Sequence, residues 1–405
     1  MSSSKTSRRG IERGLYKSLA PAFAWQEKDQ GYQEKGCCAQ DVHGERKESE
    51  RRRGGRTPIE IRAASAREGR GKGETKGVIP GGFLRKVLIA LKKKEENVEK
   101  IAGELLSDIA EVLFLEDIED GVEDVEVLVL FQWRGVIGEG LIGRLRSLKF
   151  IQALTAGVNH LPFEEIPENV LVASNSGANA EYIAEHAFAL MLAAAKRLFL
   201  HDRLLRKGEF RQDIFSKPLR GSVLGILGLG SIGRRILELG CSFGMKVYAV
   251  RKSGKPEAGA EFVGTPDDLP YVLREADYLV IALPLTRHTE GLIGERELSL
   301  MKRDAVLVNV SRGKIIDQEA LYRHLLSNRE FTACLDVWWN YPRAEESFRQ
   351  DFPFEKLPNV VMTPHIAPLV PGYFENMLRH ALENVRTFLL WDSPANIVDR
   401  KDYVP

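Results

Sequence analysis

The stretch Val223-Leu-Gly-Ile-Leu-Gly228-Leu-Gly230-Ser-Ile-Gly233 decides the fold of this chain. Its apolar first half is typical of a buried β-strand, and it leads into the pattern Gly-x-Gly-x-x-Gly and a segment of helical periodicity. The first glycine permits a tight turn, the second lets the backbone approach a pyrophosphate, and the third lets helix and strand pack closely. The helix that follows directs N–H groups and a positive dipole at the phosphates. The stretch therefore predicts a dinucleotide-binding β-α unit.

The end of the next predicted strand indicates which dinucleotide is bound. An NAD-binding unit usually carries Asp or Glu about 20 residues after the glycines, where the carboxylate bonds the ribose 2′-hydroxyl. Arg251, Lys252 and Ser253 occupy that place here. Because two cations and a hydroxyl suit a 2′-phosphate, the sequence favours NADP over NAD. The alternative is that Arg251 stacks on the adenine or faces solvent, and that either cofactor is accepted.

Alternating β and α segments on both sides of this unit define the fold class. From the glycine pattern onward, six apolar runs predict strands at Ser222–Gly228, Lys246–Val250, Tyr278–Leu283, Ala305–Val310, Ala333–Val337 and Val360–Met362. Five precede it, at Lys86–Leu91, Glu111–Leu115, Val125–Phe131, Phe150–Leu154 and Val170–Ala173. Helices are predicted at Asn97–Ile109, Glu139–Leu148, Glu181–Leu198 and Tyr373–Trp391. Repeated β-α units predict an α/β protein with two Rossmann-like, doubly wound parallel sheets.

The order of these segments predicts how the domains are arranged. The last helix returns after the second sheet, so a nucleotide-binding domain over 182–368 is expected to be inserted into a smaller, flavodoxin-like substrate domain. That smaller domain is built from 84–181 and 369–405. Residues 1–82 are expected to form a basic, glycine-rich, disordered extension, because they lack hydrophobic periodicity.

Charge separates this extension from the rest of the chain. The 405 residues contain 58 Lys and Arg and 57 Asp and Glu. Residues 1–82 hold 18 basic and 11 acidic side chains, and the remainder holds 40 and 46, so a +7 segment precedes a −6 body. The alternatives for the extension are a start of translation near Phe83, a basic tail that contacts nucleic acid or anionic lipid, or an organelle transit peptide.

Several classes of protein are excluded or disfavoured. The longest uncharged run, Leu357 to Phe374, contains four prolines and is no membrane-spanning helix. The four cysteines form no disulfide framework, and the adjacent Cys37 and Cys38 have no accompanying ligand spacing, so no metal site is expected. A reducing cytoplasm is the expected compartment.

Five further motifs complete a recognisable set. They are Ala184-Glu185-His186, Leu283-Pro-Leu-Thr286, Asn309-Val-Ser-Arg312-Gly313, Leu335-Asp336-Val-Trp338-Trp339 and Thr363-Pro-His365-Ile366. With the glycine pattern, they make the chain resemble the D-isomer-specific 2-hydroxyacid dehydrogenases from about Lys86 to Pro405. The resemblance implies hydride transfer between NAD(P)H and a small 2-keto acid such as glyoxylate or hydroxypyruvate, in a cleft between two domains of a homodimer built around the long helix region.

The same resemblance implies a role for each motif residue. Arg312 binds the substrate carboxylate and polarises the keto oxygen, which suits a planar cation. His365 is the acid/base that exchanges a proton with the substrate oxygen. Backbone N–H groups of Gly157 and Val158 bind the carboxylate. Asp336 contacts the nicotinamide end of the cofactor, and the remaining cofactor contacts are Ser231, Ile232, Pro284, Thr289 and Val310.

Other polar and aromatic residues have competing interpretations. Glu185 and His186 lie inside the long helix and are expected to serve packing and the domain hinge. Trp338 and Trp339 form either a substrate wall or packing beneath the site. Phe131, Gln132, Trp133 and Arg134 are expected to line the pocket for the substrate side group, and His43, His201, His288, His324 and His380 are interpreted as solvated or structural.

Tyr341 departs from the family pattern. Most members carry a glutamate at this place, which bonds the catalytic histidine and stabilises its charged form. A phenol still orients His365 if it hydrogen-bonds the ring, but it supplies no negative charge near neutral pH. Tyr341 is therefore counted with Arg312 and His365 as a catalytic residue, and the pKa of His365 is expected to be lower than in glutamate-bearing relatives.

Three rival functions remain open at this stage. One is a D-3-phosphoglycerate dehydrogenase without the regulatory domain that some of these enzymes carry. Another is a formate- or phosphite-type dehydrogenase, which fits the missing glutamate. The third, of a different class, is a nucleotide-sensing interaction protein like the corepressors of this superfamily.

Overall fold

The structure, a computed structural model, describes residues 84–404 except 92–94, 119–121, 134–135, 138–139 and 343–345. The predictions for residues 1–82, for Cys37, Cys38 and His43, and for the pocket residue Arg134 lie outside the described residues.

The described residues form two parallel β-sheets with helices between the strands. The strands are β1 (Arg85–Ala90), β2 (Ala110–Phe114), β3 (Val125–Leu130), β4 (Phe150–Ala153), β5 (Leu171–Ala173), β6 (Val223–Leu227), β7 (Lys246–Val250), β8 (Phe262–Gly264), β9 (Tyr278–Ile281), β10 (Val306–Asn309), β11 (Thr332–Leu335) and β12 (Val360–Met362). The helices are α1 (Glu96–Leu106), α2 (Leu141–Arg144), α3 (Ala180–Ala195), α4 (Leu198–Arg206), α5 (Ser231–Ser242), α6 (Leu269–Glu275), α7 (Glu295–Leu300), α8 (Gln318–Ser327) and α9 (Tyr373–Trp391).

The first sheet has the strand order β2-β1-β3-β4-β5 and is parallel throughout. Alternate residues of its strands point to opposite faces, as the pleat requires. Val87 and Ile89 of β1 pack with α1 and α9, whereas Leu88 and Ala90 pack into the cluster on the other face. Both faces are therefore covered, which explains why these strands read as continuous apolar runs.

The second sheet has the order β12-β11-β10-β9-β6-β7-β8 and is also parallel. One face carries α3 and α5, and the other carries α6, α7 and α8. The strand order reverses between β6 and β9, where Ala282 N–H donates to Leu227 O at 2.8 Å. Ligands of such sheets bind outside the carboxyl ends of the strands at this reversal. Two doubly wound parallel-sheet α/β domains are thus confirmed.

Three sequence predictions about elements were wrong in detail. Six strands were predicted in the second sheet, which has seven among the described residues. The strand β8 was missed because three residues are too few to show a period. The helix predicted over Glu181–Leu198 ends at Ala195, and α4 begins separately after Arg197, whose φ of 50° breaks the helical path. The helix predicted over Glu139–Leu148 is only the single turn α2, within a segment that is partly outside the described residues.

Within the described residues, no helix is both long enough and apolar enough to cross a bilayer.

Candidate active site

The glycine loop between β6 and α5 has the shape that a dinucleotide phosphate needs. Gly228 has a φ of +99°, and a Cβ there would lie 2.6 Å from Ala282 O. A Cβ on Gly233 would collide with the carbonyl oxygen of Gly228, so close packing of helix and strand requires glycine. A Cβ on Gly230 would meet nothing within 4 Å, so open space lies in front of the α5 N-terminus. This cradle fits a pyrophosphate.

The cation that follows β7 has a partner of its own. Arg251 Nη1 donates to Glu257 Oε2 at 2.8 Å, and Arg234 Nε from α5 donates to the same oxygen at 3.1 Å. These two guanidinium groups hold the pKa of Glu257 below its usual value, with Arg234 contributing most. Lys252 is largely exposed, and Ser253 Oγ accepts from Lys255 N–H at 3.4 Å. Two arginines thus meet on one carboxylate at the end of β7.

The other expected cofactor contacts line the same strand ends. Thr289 Oγ1 donates to Pro284 O at 2.6 Å and accepts from Thr286 N–H at 2.8 Å, which fixes the loop after β9. Val310 is buried directly after β10. Ser231 and Ile232 form the first turn of α5, with Ser231 Oγ 3.5 Å from Ser176 Oγ.

Arg312 connects the ends of the two sheets. It follows β10, and its Nη1 donates to Ser311 O at 2.8 Å while its Nε donates to Asn159 Oδ1 at 3.2 Å. A Cβ on Gly157 would collide with Nη2 of Arg312 and lie 2.8 Å from Cζ. Burial lowers the pKa of Arg312 from its ordinary value, although the group stays cationic at neutral pH. The structure therefore brings Arg312 and the loop after β4 together, as the resemblance implies.

The position of His365 is set by the loop after β12. Its backbone has a φ of 59°, in the left-handed region, which is uncommon for a residue with a side chain. The residue is exposed, but partial desolvation of its ring and the charge of Arg312 lower the pKa of His365, and Asp336 opposes them. Arg312, Asp336 and His365 follow the adjacent strands β10, β11 and β12. Two of the expected catalytic residues, Arg312 and His365, thus follow strands at the same sheet edge, and Asp336 lies between them in the strand order.

The Asp336 carboxylate, expected at the nicotinamide end of the cofactor, is held by several protein groups. The carboxylate is fully buried, and both oxygens bind protein groups. Oδ1 accepts from Thr363 Oγ1 at 2.7 Å and from Ile366 N–H at 2.9 Å, and Oδ2 accepts from Ala367 N–H at 3.1 Å. These bonds and His186 outweigh desolvation and lower the pKa of Asp336 to about 2. Asp336 therefore holds the backbone of Ile366 and Ala367, the two residues that follow His365.

Tyr341 stands beside His365 without the hydrogen bond that would orient it. The two ring centroids are 5.5 Å apart, and Tyr341 Oη accepts from Trp338 N–H at 3.2 Å. Partial desolvation raises the pKa of this half-exposed phenol, so it remains neutral near pH 7. The phenol therefore supplies a ring contact and no negative charge.

The two tryptophans have the contacts of packing residues. Trp338 is buried and its Nε1 donates to Thr363 O at 3.0 Å. Trp339 Nε1 donates to Ile316 O at 2.7 Å, and its ring stacks on Phe354 with centroids 5.3 Å apart. Trp133, expected in the side-group pocket, is likewise buried in the core of the first domain.

Two further histidines lie near the site. His186 was expected to serve packing and the domain hinge, whereas His160 was not recognised from sequence. His160 follows the Thr155–Asn159 stretch, and its Nε2 is buried with no hydrogen-bond partner among the described residues. Burial and the charge of Arg312 lower the pKa of His160. His186 of α3 lies 3.4 Å from Asp336 Oδ1. The polar Asn159-His160 pair beside the loop was the available signal for His160, and the Ala184-Glu185-His186 motif was the signal for His186.

The chain belongs to a known class of oxidoreductases. Residues 188–367 match the model of the D-isomer specific 2-hydroxyacid dehydrogenase, NAD binding domain. A glyoxylate reductase from Thermococcus litoralis is 33% identical over 292 residues, covering 69% of this chain and 85% of that protein. The chain is therefore a member of the D-isomer specific 2-hydroxyacid dehydrogenase family, and it is an NAD(P)-dependent enzyme.

Two other similarities are informative. A D-3-phosphoglycerate dehydrogenase from Methanocaldococcus jannaschii is 32% identical, covering 65% of this chain and 51% of that protein. A solved D-isomer specific 2-hydroxyacid dehydrogenase family protein from Aeromonas salmonicida is 26% identical, with a TM-score of 0.66, covering 78% of this chain and 99% of that one.

Proposed function

We propose that the enzyme reduces a small 2-keto acid, such as glyoxylate or hydroxypyruvate, to the D-2-hydroxy acid. The observation that carries this proposal is the Arg312 guanidinium lying against Gly157, with His365 two strands away at the same sheet edge. A fixed cation beside backbone N–H groups suits a carboxylate next to a keto oxygen. The name of the Thermococcus litoralis relative supports the same substrate class.

Each proposed step is assigned to a side chain. Arg312, with the N–H groups of Gly157 and Val158, binds the carboxylate and polarises the keto oxygen. His365 in its protonated form donates a proton to that oxygen during reduction and accepts it during oxidation. Tyr341 packs beside the imidazole and restricts its orientation. A nicotinamide cofactor, held by the residues at these strand ends, would supply or accept the hydride.

The cofactor is proposed to be NADP in preference to NAD. Gly228, Gly230, Gly233, Ser231 and Ile232 would cradle the pyrophosphate. Arg251, Lys252 and Ser253 would bind the 2′-phosphate, with Arg234 as a second guanidinium beside Arg251. Pro284, Thr289 and Val310 would enclose the nicotinamide half, while Asp336 would act at that end by holding the His365 loop.

The domain layout is also a proposal. A nucleotide domain of 182–368 would be inserted in the sequence between the two parts of a substrate domain, 84–181 and 369–405. This division is supported by α9, which follows the second sheet but packs on the first with α1. Arg386 of α9 and Asp108 beside α1 reinforce that contact through two hydrogen bonds of 2.6 Å.

We also propose that the enzyme is a homodimer and works in the cytoplasm. No residue of α4 is buried. Phe199 within this helix is 56% exposed, and Phe210 and Phe215 after it are 75% and 87% exposed. Apolar side chains on this scale suggest a partner surface. Sedimentation of the purified protein tests this part.

One assay tests the activity. Purified enzyme is mixed with NADPH or NADH and with glyoxylate, hydroxypyruvate, pyruvate or 3-phosphohydroxypyruvate, and loss of nicotinamide absorbance is followed. We expect turnover of glyoxylate or hydroxypyruvate, faster with NADPH. Preference for the phosphorylated acid would instead favour a D-3-phosphoglycerate dehydrogenase, the second candidate, which the Methanocaldococcus jannaschii relative supports. Tight cofactor binding without turnover of any acid would favour a nucleotide sensor.

A further inference from the structure

A histidine in the interior of α3 contacts the carboxylate that supports the His365 loop. His186 Nε2 lies 3.4 Å from Asp336 Oδ1 and 3.2 Å from Thr363 Oγ1. The imidazole is mostly buried, with 18% of its side chain exposed, and the carboxylate is fully buried. The α3 helix itself is held against the second sheet by buried residues such as Ala184 and Ala187 on either side of His186.

The hydrogen bonds around this carboxylate determine which atom of His186 carries a proton. Thr363 uses its only hydroxyl hydrogen toward Asp336 Oδ1, at 2.7 Å. An ionised carboxylate can only accept, and the Thr363 oxygen is left as an acceptor as well. His186 must therefore donate from Nε2, toward both oxygens. This donor comes from a different element and is separated from Asp336 by 150 positions in sequence.

The same carboxylate reaches the backbone next to His365. Asp336 accepts from the N–H groups of Ile366 and Ala367, the two residues after His365. The left-handed backbone of His365 is strained, and such strain persists only where the surroundings determine it. A donor that fixes the Asp336 carboxylate therefore helps to fix the backbone of His365. His186, Thr363 and Asp336 form one chain of contacts that ends at the proposed acid/base.

We propose that His186 is a positioning residue for His365, acting through Asp336 and Thr363 from outside the substrate cleft. The inference rests on the proposed acid/base role of His365. It assigns to His186 a part in catalysis without contact with substrate or cofactor. Loss of the Nε2 donor leaves the Asp336 carboxylate with fewer partners, so the loop loosens and the His365 ring leaves its working orientation.

The test compares His186→Ala with His186→Gln and Glu185→Ala. A glutamine amide can donate to Asp336 at similar reach, so it should restore what alanine removes. Glu185 is the exposed neighbour on the same helix and controls for general damage to α3. For His186→Ala we expect kcat with glyoxylate to fall roughly 10- to 100-fold while KM, set by Arg312, changes by less than about twofold. His186→Gln should recover most of the loss, and Glu185→Ala should match the wild type.

A second readout needs no turnover. NMR titration of the His365 imidazole reports the pKa of that ring, which partial desolvation and the charge of Arg312 lower and the charge of Asp336 raises. A loosened ring becomes more hydrated, so its pKa should rise toward the ordinary histidine value in His186→Ala and return in His186→Gln. Thr363→Val breaks the same chain of contacts and should shift the His365 pKa in the same direction if His186→Ala does not fold.

Two results would overturn the inference. One is a His365 pKa that is the same in wild type, His186→Ala and Thr363→Val. The other is an equal loss of kcat in His186→Ala and Glu185→Ala with no recovery in His186→Gln. Failure of the wild type to reduce any keto acid would contradict the proposed function, and the NMR comparison would still decide whether His186 positions His365.

Discussion

The guanidinium of Arg312 occupies the space that a side chain at residue 157 would fill. A Cβ on Gly157 would collide with Nη2 of Arg312 and lie 2.8 Å from its Cζ. The two residues belong to loops that leave different sheets, so this contact brings the cation of one domain against the backbone of the other. The proposed carboxylate site depends on that close approach.

Gly157→Ala should therefore displace Arg312. We expect kcat/KM for glyoxylate to fall roughly 100-fold, because a shift of about 1 Å in a substrate-positioning group has effects of this size. Gly143→Ala is the matched control, since a Cβ there meets nothing within 4 Å. Steady-state kinetics of both variants check the prediction, and similar kcat/KM values for them would show that Arg312 tolerates the methyl group.

The pH dependence of reduction should reflect the lowered pKa of His365. Reduction needs the protonated imidazole, so kcat/KM should decline as pH rises through a midpoint below the ordinary histidine value. Tyr341→Glu places a carboxylate beside the ring, which favours the charged imidazole and should move the decline to higher pH. Tyr341→Phe keeps the ring contact and should leave the midpoint near that of the wild type. Superimposable profiles for Tyr341→Glu and Tyr341→Phe would contradict this account.

Cofactor choice should depend on Arg251. A charge-assisted hydrogen bond to phosphate contributes about 1.5–3 kcal/mol, so Arg251→Ala should lower kcat/KM for NADPH roughly 10- to 100-fold. NADH lacks the 2′-phosphate and should be affected much less. Lys246→Ala, at the opposite end of β7, is the control for loss of a positive charge. An equal loss with both cofactors would show that Arg251 stabilises the loop and does not read the phosphate.

Sequence patterns predicted those parts of the molecule that depend on neighbours in the chain. The strand before Gly228 and the helix from Tyr373 to Trp391 were located because their period or composition is local. The strand Phe262–Gly264 was missed because three residues carry no period, and the helix break at Arg197 depends on one unusual φ. The contacts of Asp336 with His186 join residues far apart in sequence, and only the fold brings them together.

Asp336 should also contribute to stability in a way that depends on pH. Its folded pKa of about 2 lies below the ordinary 3.8, so the carboxylate stabilises the fold fully above pH 3.8 and loses this effect as pH falls toward 2. The shift corresponds to about 2 kcal/mol at neutral pH. Asp336→Asn should lower the urea midpoint at pH 7, and its difference from the wild type should shrink in acid.

Asp213→Asn is the matched control for this prediction. Exposed Asp213 pairs with Arg211 and also has a pKa of about 2, yet solvent screens that pair. We expect Asp213→Asn to match the wild type at both pH values; a constant deficit for Asp336→Asn across pH would mean that the loss arises from packing and not from the charge.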